Sequence, residues 1–215
     1  MPPRDATATR SKLLDAARDV IRAKGYTATT VDDICASAGV TKGSFFHHFG
    51  SKEQLGIAAI EQFGVMASEI FGTAPYANLP DPRDRVLGYV DFRASMLDGD
   101  VALYSCLLGT SVQEVYATHP EIRAACEQGM TEHIDELVKD IRAAKQQYAP
   151  DADWTPESIG YYIQAVLQGS FIYAKVKQGP QVARDNLALL RKYLESLLDP
   201  NLNLTGSTQP QEQAT

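Results

Sequence analysis

A chain of 215 residues with 44% apolar side chains is long enough to bury the core of one large or two small domains. Its net charge of −7 argues against a general nucleic-acid coat, and three scattered cysteines exclude a disulfide framework. No run approaches about eighteen consecutive apolar residues, so no membrane span or membrane partner is expected. The N-terminus lacks an apolar signal core, and a reducing cytoplasm is the expected compartment. The charge is unevenly spread: residues 1–55 balance to +2 and residues 56–215 to −9. An acidic body with a mildly basic head suits a protein that touches DNA with one end.

In chain order, residues 1–8 read as a mobile Pro- and Thr-rich arm. Arg4 and Arg10, in and just beyond it, read as solvated; the alternative is that they reach DNA. A helix from Thr9 to Lys24 gathers Leu13, Leu14, Ala17, Val20 and Ile21 on one face. Gly25 ends it, and Tyr26 packs into the core. Thr30 then caps a second helix, with Asp32 and Asp33 in its first turn. Ile34, Cys35 and Ala38 share its apolar face, and Gly39 closes it. Thr41 caps a third helix, Lys42 to Phe49, of about two turns. Its spacing turns Phe45 and Phe49 inward and Lys42, Ser44, Phe46, His47 and His48 outward. A short helix, a glycine turn and a second short helix form a helix-turn-helix pattern, whose second helix enters a DNA major groove.

Ser51 caps a fourth helix running to about Phe71, and Gly56 and Gly64 each lower its propensity by about 1 kcal/mol. The three-proline loop Thr73 to Pro82 closes this linking helix and marks the start of the body. Beyond it, helices are expected over Pro82–Leu97, Leu103–Thr118, Pro120–Tyr148, Pro156–Gln178 and Gln181–Leu198. No alternating apolar run defends a strand. The fold class is all-α, about nine helices. The expected division is a helix-turn-helix domain at 1–50, a helical effector-binding and dimerisation domain at 51–199, and a disordered tail at 200–215. In the last helix, Leu187, Leu190, Leu194 and Leu197 recur as an a/d seam with Leu198 beside it. Ile159, Ile163, Val166 and Ser170 repeat similarly in the helix before, with Gly160 and Gly169 allowing close approach. The seam is expected to pair two subunits in a four-helix bundle; the alternative is that it closes the body's own core.

The runs ARDVIRAKGYTATTVDDICASAG and GVTKGSFFHHFGSKEQL resemble the N-terminal domain of the TetR/AcrR family of bacterial transcription regulators, over residues 10 to 56. The resemblance implies a homodimeric repressor that binds double-stranded operator DNA and releases it when its C-terminal domain takes up a small organic effector. The DNA-contact residues it implies are Thr30, Thr41, Lys42, Gly43, Ser44, Phe46, His47, His48 and Lys52, with His48 and Lys52 on backbone phosphates. Phe46 departs from the tyrosine usual in the family, which removes a hydroxyl able to reach a phosphate. Around an effector cavity the resemblance sets Tyr89, Phe92, Met96, Tyr104, Tyr162 and Phe171; the alternative is that they are ordinary core and surface side chains.

Cys106, in YSCLLGTSVQEV, lies near a predicted helix N-terminus, a location that can lower a thiol pKa. This segment and FIYAKVKQG resemble a branch of the family that includes electrophile- and reactive-carbonyl-responsive repressors. Lys175 would stabilise a Cys106 thiolate if the two helices meet; the alternative is a buried, inert cysteine. No metal or other cofactor is expected: His47 and His48 point about 100° apart on a helix, and His119 and His133 have no partner at ligand spacing. No Gly-x-Ser-x-Gly, phosphate-cradling loop or GxGxxG occurs, so no enzyme is expected. A helical enzyme or scaffold with a borrowed DNA-binding head is the alternative from another class.

Overall fold

The computed structural model describes residues 4–199, with side chains from Thr7 onward. The Arg4 side chain and the tail expected to be disordered, 200–215, lie outside the described residues. The described chain is all-α, as expected. Helices α1 (Arg4–Lys24), α2 (Val31–Ala38) and α3 (Lys42–His48) form the head, and α4 (Lys52–Gly72) leads out of it. A 3-10 turn at Pro75–Asn78 precedes α5 (Pro82–Ser95), α6 (Val101–Tyr104) and α7 (Leu107–Val115). Then come α8 (Pro120–Tyr148), α9 (Pro156–Lys177) and α10 (Gln181–Leu197).

The head's boundaries follow local chemistry. Thr30 and Asp33 form a reciprocal capping box at the start of α2. Gly39 ends that helix in the left-handed region at φ 65°. The hydroxyls of Thr41 and Ser51 cap α3 and α4. Gly25 has φ +89°, a conformation L side chains rarely adopt, and a Cβ there would displace the Glu114 carboxylate, whose oxygen it would approach to 2.0 Å.

Three expectations change. First, α1 begins at Arg4, inside the stretch read as a mobile arm, because Arg-Asp-Ala-Thr-Ala contains no helix breaker after the prolines at 2 and 3. Second, the helix expected over Leu103–Thr118 breaks at Ser105–Cys106, both in extended conformation. Arg22 of α1 donates from Nε to the Ser105 carbonyl (2.8 Å) and from Nη2 to the Leu103 carbonyl, taking up acceptors that a continuous helix would use. The apolar spacing runs across this break, so periodicity alone reads one helix. Third, the a/d seam of α10 closes the body's own core: Leu187, Leu190, Leu194 and Leu198 are all buried there with Ile159 and Ile163.

By length and composition α4 is long and apolar enough to cross a membrane, with a window of mean hydropathy 1.2, a feature that core helices share. The expectation counted only uninterrupted apolar runs. Within the fold, α4 spends its apolar residues on two neighbours. Leu55, Ala59 and Ile60 are buried in the head's core, while Phe63, Met66, Ala67, Ile70 and Phe71 wall a cavity. The head's core also does not stop at the head: Leu107, Leu108, Val115, Ile122 and Cys126 of α7 and α8 belong to it.

Candidate functional site

The first candidate surface is α3 and its supports. Phe45 and Phe49 are buried as spacing requires, which turns the opposite face outward. Phe46 is 56% exposed, His47 is exposed, and Ser44 and His48 are half-buried. Two lysines expected on this surface have partners within the chain. Lys42 pairs with Asp32 at 2.8 Å, joining the start of α3 to α2 through an exposed, exchangeable contact. The Lys52 ammonium lies 4.3 Å from the centre of the Tyr26 ring and donates to the Tyr26 and Thr29 carbonyls at 3.1 and 3.0 Å. Partial burial holds its pKa below the usual lysine value. Tyr26 is core, as expected. Arg10, read as solvated, is exposed but lies over the Phe49 ring at 5.2 Å. Asp33, beside Lys24 and accepting from Thr30, is held far below the usual carboxylate range.

The second candidate is a cavity of about 200 Å³ between α4, α5, α8 and the α6–α7 break. Four of the expected effector residues line it: Met96, Tyr104, Cys106 and Phe171. The other four do not. Tyr89 is fully buried one layer behind, where Gln164 donates to its hydroxyl at 2.9 Å. That hydroxyl lies 2.9 Å from Nε2 of His133, which does line the cavity. Phe92 packs against the rings of Phe71 and Tyr76, and Tyr162 lies on the outer face of α9 against Tyr193. Lys175 lines a separate space of about 20 Å³ beside Cys106 and donates to the Thr110 hydroxyl at 3.1 Å.

The residues missed from sequence are three polar ones and the apolar wall supplied by α4. Arg22, Arg93 and His133 line the cavity from three different helices. Arg93 lies over the Phe71 and Phe171 rings at 5.1 and 5.5 Å. Burial, and then the charge of Arg93, push the His133 pKa down to about 4, so the ring is neutral near pH 7 and shares one hydrogen bond with the Tyr89 hydroxyl. Cys106 caps α7, its sulfur accepting from the Gly109 amide at 3.4 Å, and it borders both cavities. Among the described residues no group of three or more His, Cys, Asp or Glu could hold a metal ion.

The family profile described as "Bacterial regulatory proteins, tetR family" matches residues 13–59. That described as "Tetracyclin repressor-like, C-terminal domain" matches residues 82–190. The chain belongs to the TetR family. It is a helix-turn-helix transcriptional regulator, and the second match counts against a borrowed head on an unrelated body. Among its relatives, the HTH-type transcriptional repressor DhaR of Mycobacterium sp. (strain GP1) is 25% identical, over 94% of this chain and 98% of its own length. The HTH-type transcriptional repressor NemR of Escherichia coli K12 is 22% identical, over 86% of this chain and 94% of its own. The crystal structure of reduced E. coli NemR superposes with a TM-score of 0.74, covering 86% of this chain and 95% of that one. A TetR regulator from Chloroflexus aurantiacus, 22% identical, gives 0.78 over 89% and 96%. At these identities the two structures show the fold.

Proposed function

We propose that this TetR-family chain is a cytoplasmic homodimeric repressor whose hold on its operator weakens when a small organic molecule enters the α4–α8 cavity. The observation that carries this reading is Arg22. It belongs to α1 of the head, its side chain lines the cavity, and it holds the α6–α7 break by two carbonyls. An occupant that displaces Arg22 acts on the head directly. Glu114 of α7 gives a second link, accepting from the Thr27 amide in the α1–α2 loop at 2.7 Å. The names of DhaR and NemR support repression.

On DNA, α3 enters the major groove. Lys42, Gly43, Ser44, Phe46 and His47 face base edges, and Thr30, Thr41, His48 and Lys52 face the backbone. Lys42 exchanges Asp32 for DNA, and the Lys52 N–H left after two carbonyl bonds reaches a phosphate. Two recognition helices are held together through the outer faces of α9 and α10, where Tyr162, Tyr173, Leu189 and Tyr193 flank a shallow apolar groove. This replaces the buried leucine seam as the dimer surface.

A gel shift with the DNA upstream of this gene and its neighbours tests the assignment; a saturable, competitor-resistant shift is expected. Gly64 lines the cavity and a Cβ there would meet nothing within 4 Å, so Gly64→Phe is a substitution chosen to crowd the cavity from the α4 wall. That variant should keep the shift and lose release by compounds that free the wild type. Release unchanged by Gly64→Phe would place the effector elsewhere.

A second reading has Cys106 as a covalent sensor, supported by its place between the two cavities with Lys175 in the smaller one. Burial and the charge of Arg22 lower the Lys175 pKa. Cys106→Ser should then bind DNA and ignore thiol-reactive aldehydes; ordinary release of that variant leaves the reversible site alone.

A further inference from the structure

The charge of the cavity lining is unbalanced in one direction. Arg22 and Arg93 both line it, and neither forms an ion pair among the described residues. Arg22 spends its donors on the Ser105 and Leu103 carbonyls. The Arg93 guanidinium carbon lies over the Phe71 and Phe171 rings, 5.1 and 5.5 Å from their centres. Its N–H donors have no acceptor among the described residues. The one carboxylate of the lining, Glu132, is exposed and already accepts from Gln128 at 2.9 Å. Of the titratable groups that feel Arg93, His133 is neutral, and burial raises the pKa values of the Tyr76 and Tyr89 phenols. The field of Arg93 reaches its neighbours: it is among the causes that lower both His133 and Arg22. The Tyr104 hydroxyl in the same wall is buried with no hydrogen-bond partner.

We propose that the cavity takes a small organic carboxylate, its acid group forked on Arg93 and its apolar part against Phe63, Met66 and Met130. This rests on the reading of the cavity as the effector site. The two rings hold the guanidinium at the cavity wall, and its planar fork matches a carboxylate with two parallel N–H···O bonds. A cationic ligand would meet Arg22 and Arg93 together, and a neutral one would leave the Arg93 donors unpaired. The cavity falls below the roughly 300–1,000 Å³ usual for ligand pockets, so the apolar part is a single ring or a short chain. An anion here also offers Arg22 a charged acceptor in place of two neutral carbonyls, which loosens the contact between α1 and the α6–α7 break.

The test is calorimetric titration of the full-length protein with phenylacetate and phenylacetamide, and with hexanoate and hexanamide. At least one acid should bind about tenfold or more tightly than its amide. Arg93→Gln should weaken the acid more than the amide and so erase that preference, and Arg93→Lys should restore part of it. Gly64→Phe should abolish binding of both members of the pair. Equal binding of acid and amide by the wild type overturns the carboxylate assignment and leaves the effector cavity standing. Binding that survives Gly64→Phe, or no binding by any of the four probes at millimolar concentration, overturns both.

Discussion

The helix-turn-helix and the outer helix pair α9–α10 carry apolar residues at the same three- and four-residue spacings, yet only the first can be placed from spacing alone. In the head each short helix has its own stop signals: a capping box at Thr30, a left-handed glycine at Gly39 and a hydroxyl cap at Thr41. The turn between α2 and α3 leaves one packing solution for Phe45 and Phe49. In the body, α10 offers a leucine stripe that could face its own bundle or a second subunit, and nothing local decides between them. Length decides it: with α5 and α9 both packed on α10, the stripe is used up inside the chain. What remains outside is the less regular set Leu189, Tyr193, Tyr162 and Tyr173. A periodic stripe reports burial; it does not report by what.

The largest effect that sharpens this comparison uses both faces of α10. Leu190→Glu with Leu194→Glu should now unfold the body rather than split a dimer. Each leucine lost from a core costs about 2–5 kcal/mol, and burying a carboxylate adds to that. Circular dichroism should show loss of cooperative melting. Leu189→Glu with Tyr173→Glu, at positions 65% and 57% exposed, should keep the helical spectrum. Light scattering should find that variant monomeric, with operator binding at least about tenfold weaker because one recognition helix must act alone. A dimeric Leu189→Glu, Tyr173→Glu protein would move the interface off this face.

A smaller effect separates the regions by pH. His133 titrates near 4 in the folded chain and near 6.5 when unfolded. Its folded pKa is depressed, so the unfolded state binds more protons between those values. Stability is therefore full above about pH 6.5 and falls as pH drops towards 4, by up to roughly 3 kcal/mol. Urea midpoints should fall over that window, and His133→Gln should flatten the dependence by keeping an uncharged partner for Tyr89. A wild-type midpoint constant from pH 7 to 4.5 would contradict the buried, neutral ring.

The smallest effects lie in the head. Thr30→Ala removes the capping box and should cost about 1 kcal/mol. Lys52→Ala should cost a similar amount through its two carbonyl bonds. If Lys52 also reaches phosphate, the slope of log affinity against log salt falls by roughly one. A lower melting temperature with an unchanged slope would make Lys52 a strut between α4 and the α1–α2 loop and nothing more.

The all-α class, the caps, the starts of α8 and α9 and the outward face of α3 were legible because each rests on residues within one turn of each other. The cavity was half legible. Tyr104, Cys106 and Phe171 could be picked as chemistry-bearing side chains on body helices. Arg22 could not, because it lies on the head's first helix and reaches the cavity only through a contact across 83 residues. Arg93 and His133 read as ordinary polar positions on amphipathic helices until α4 closes over them. Tyr162 was misplaced for the same reason as the leucine stripe: its helix was known, but not which neighbour lay on which side.

The core shared between α1–α4 and the start of α8 bears on modularity. Ile122 and Cys126 are fully buried against head residues, and Leu107 and Leu108 join them from α7. A chimera that grafts residues 1–50 onto another regulator's body would strip that apolar floor and leave the α1 and α4 contacts facing a mismatched surface. A working transplant must carry the stretch from Leu107 to Cys126 along with the head, so that the portable unit is discontinuous in sequence.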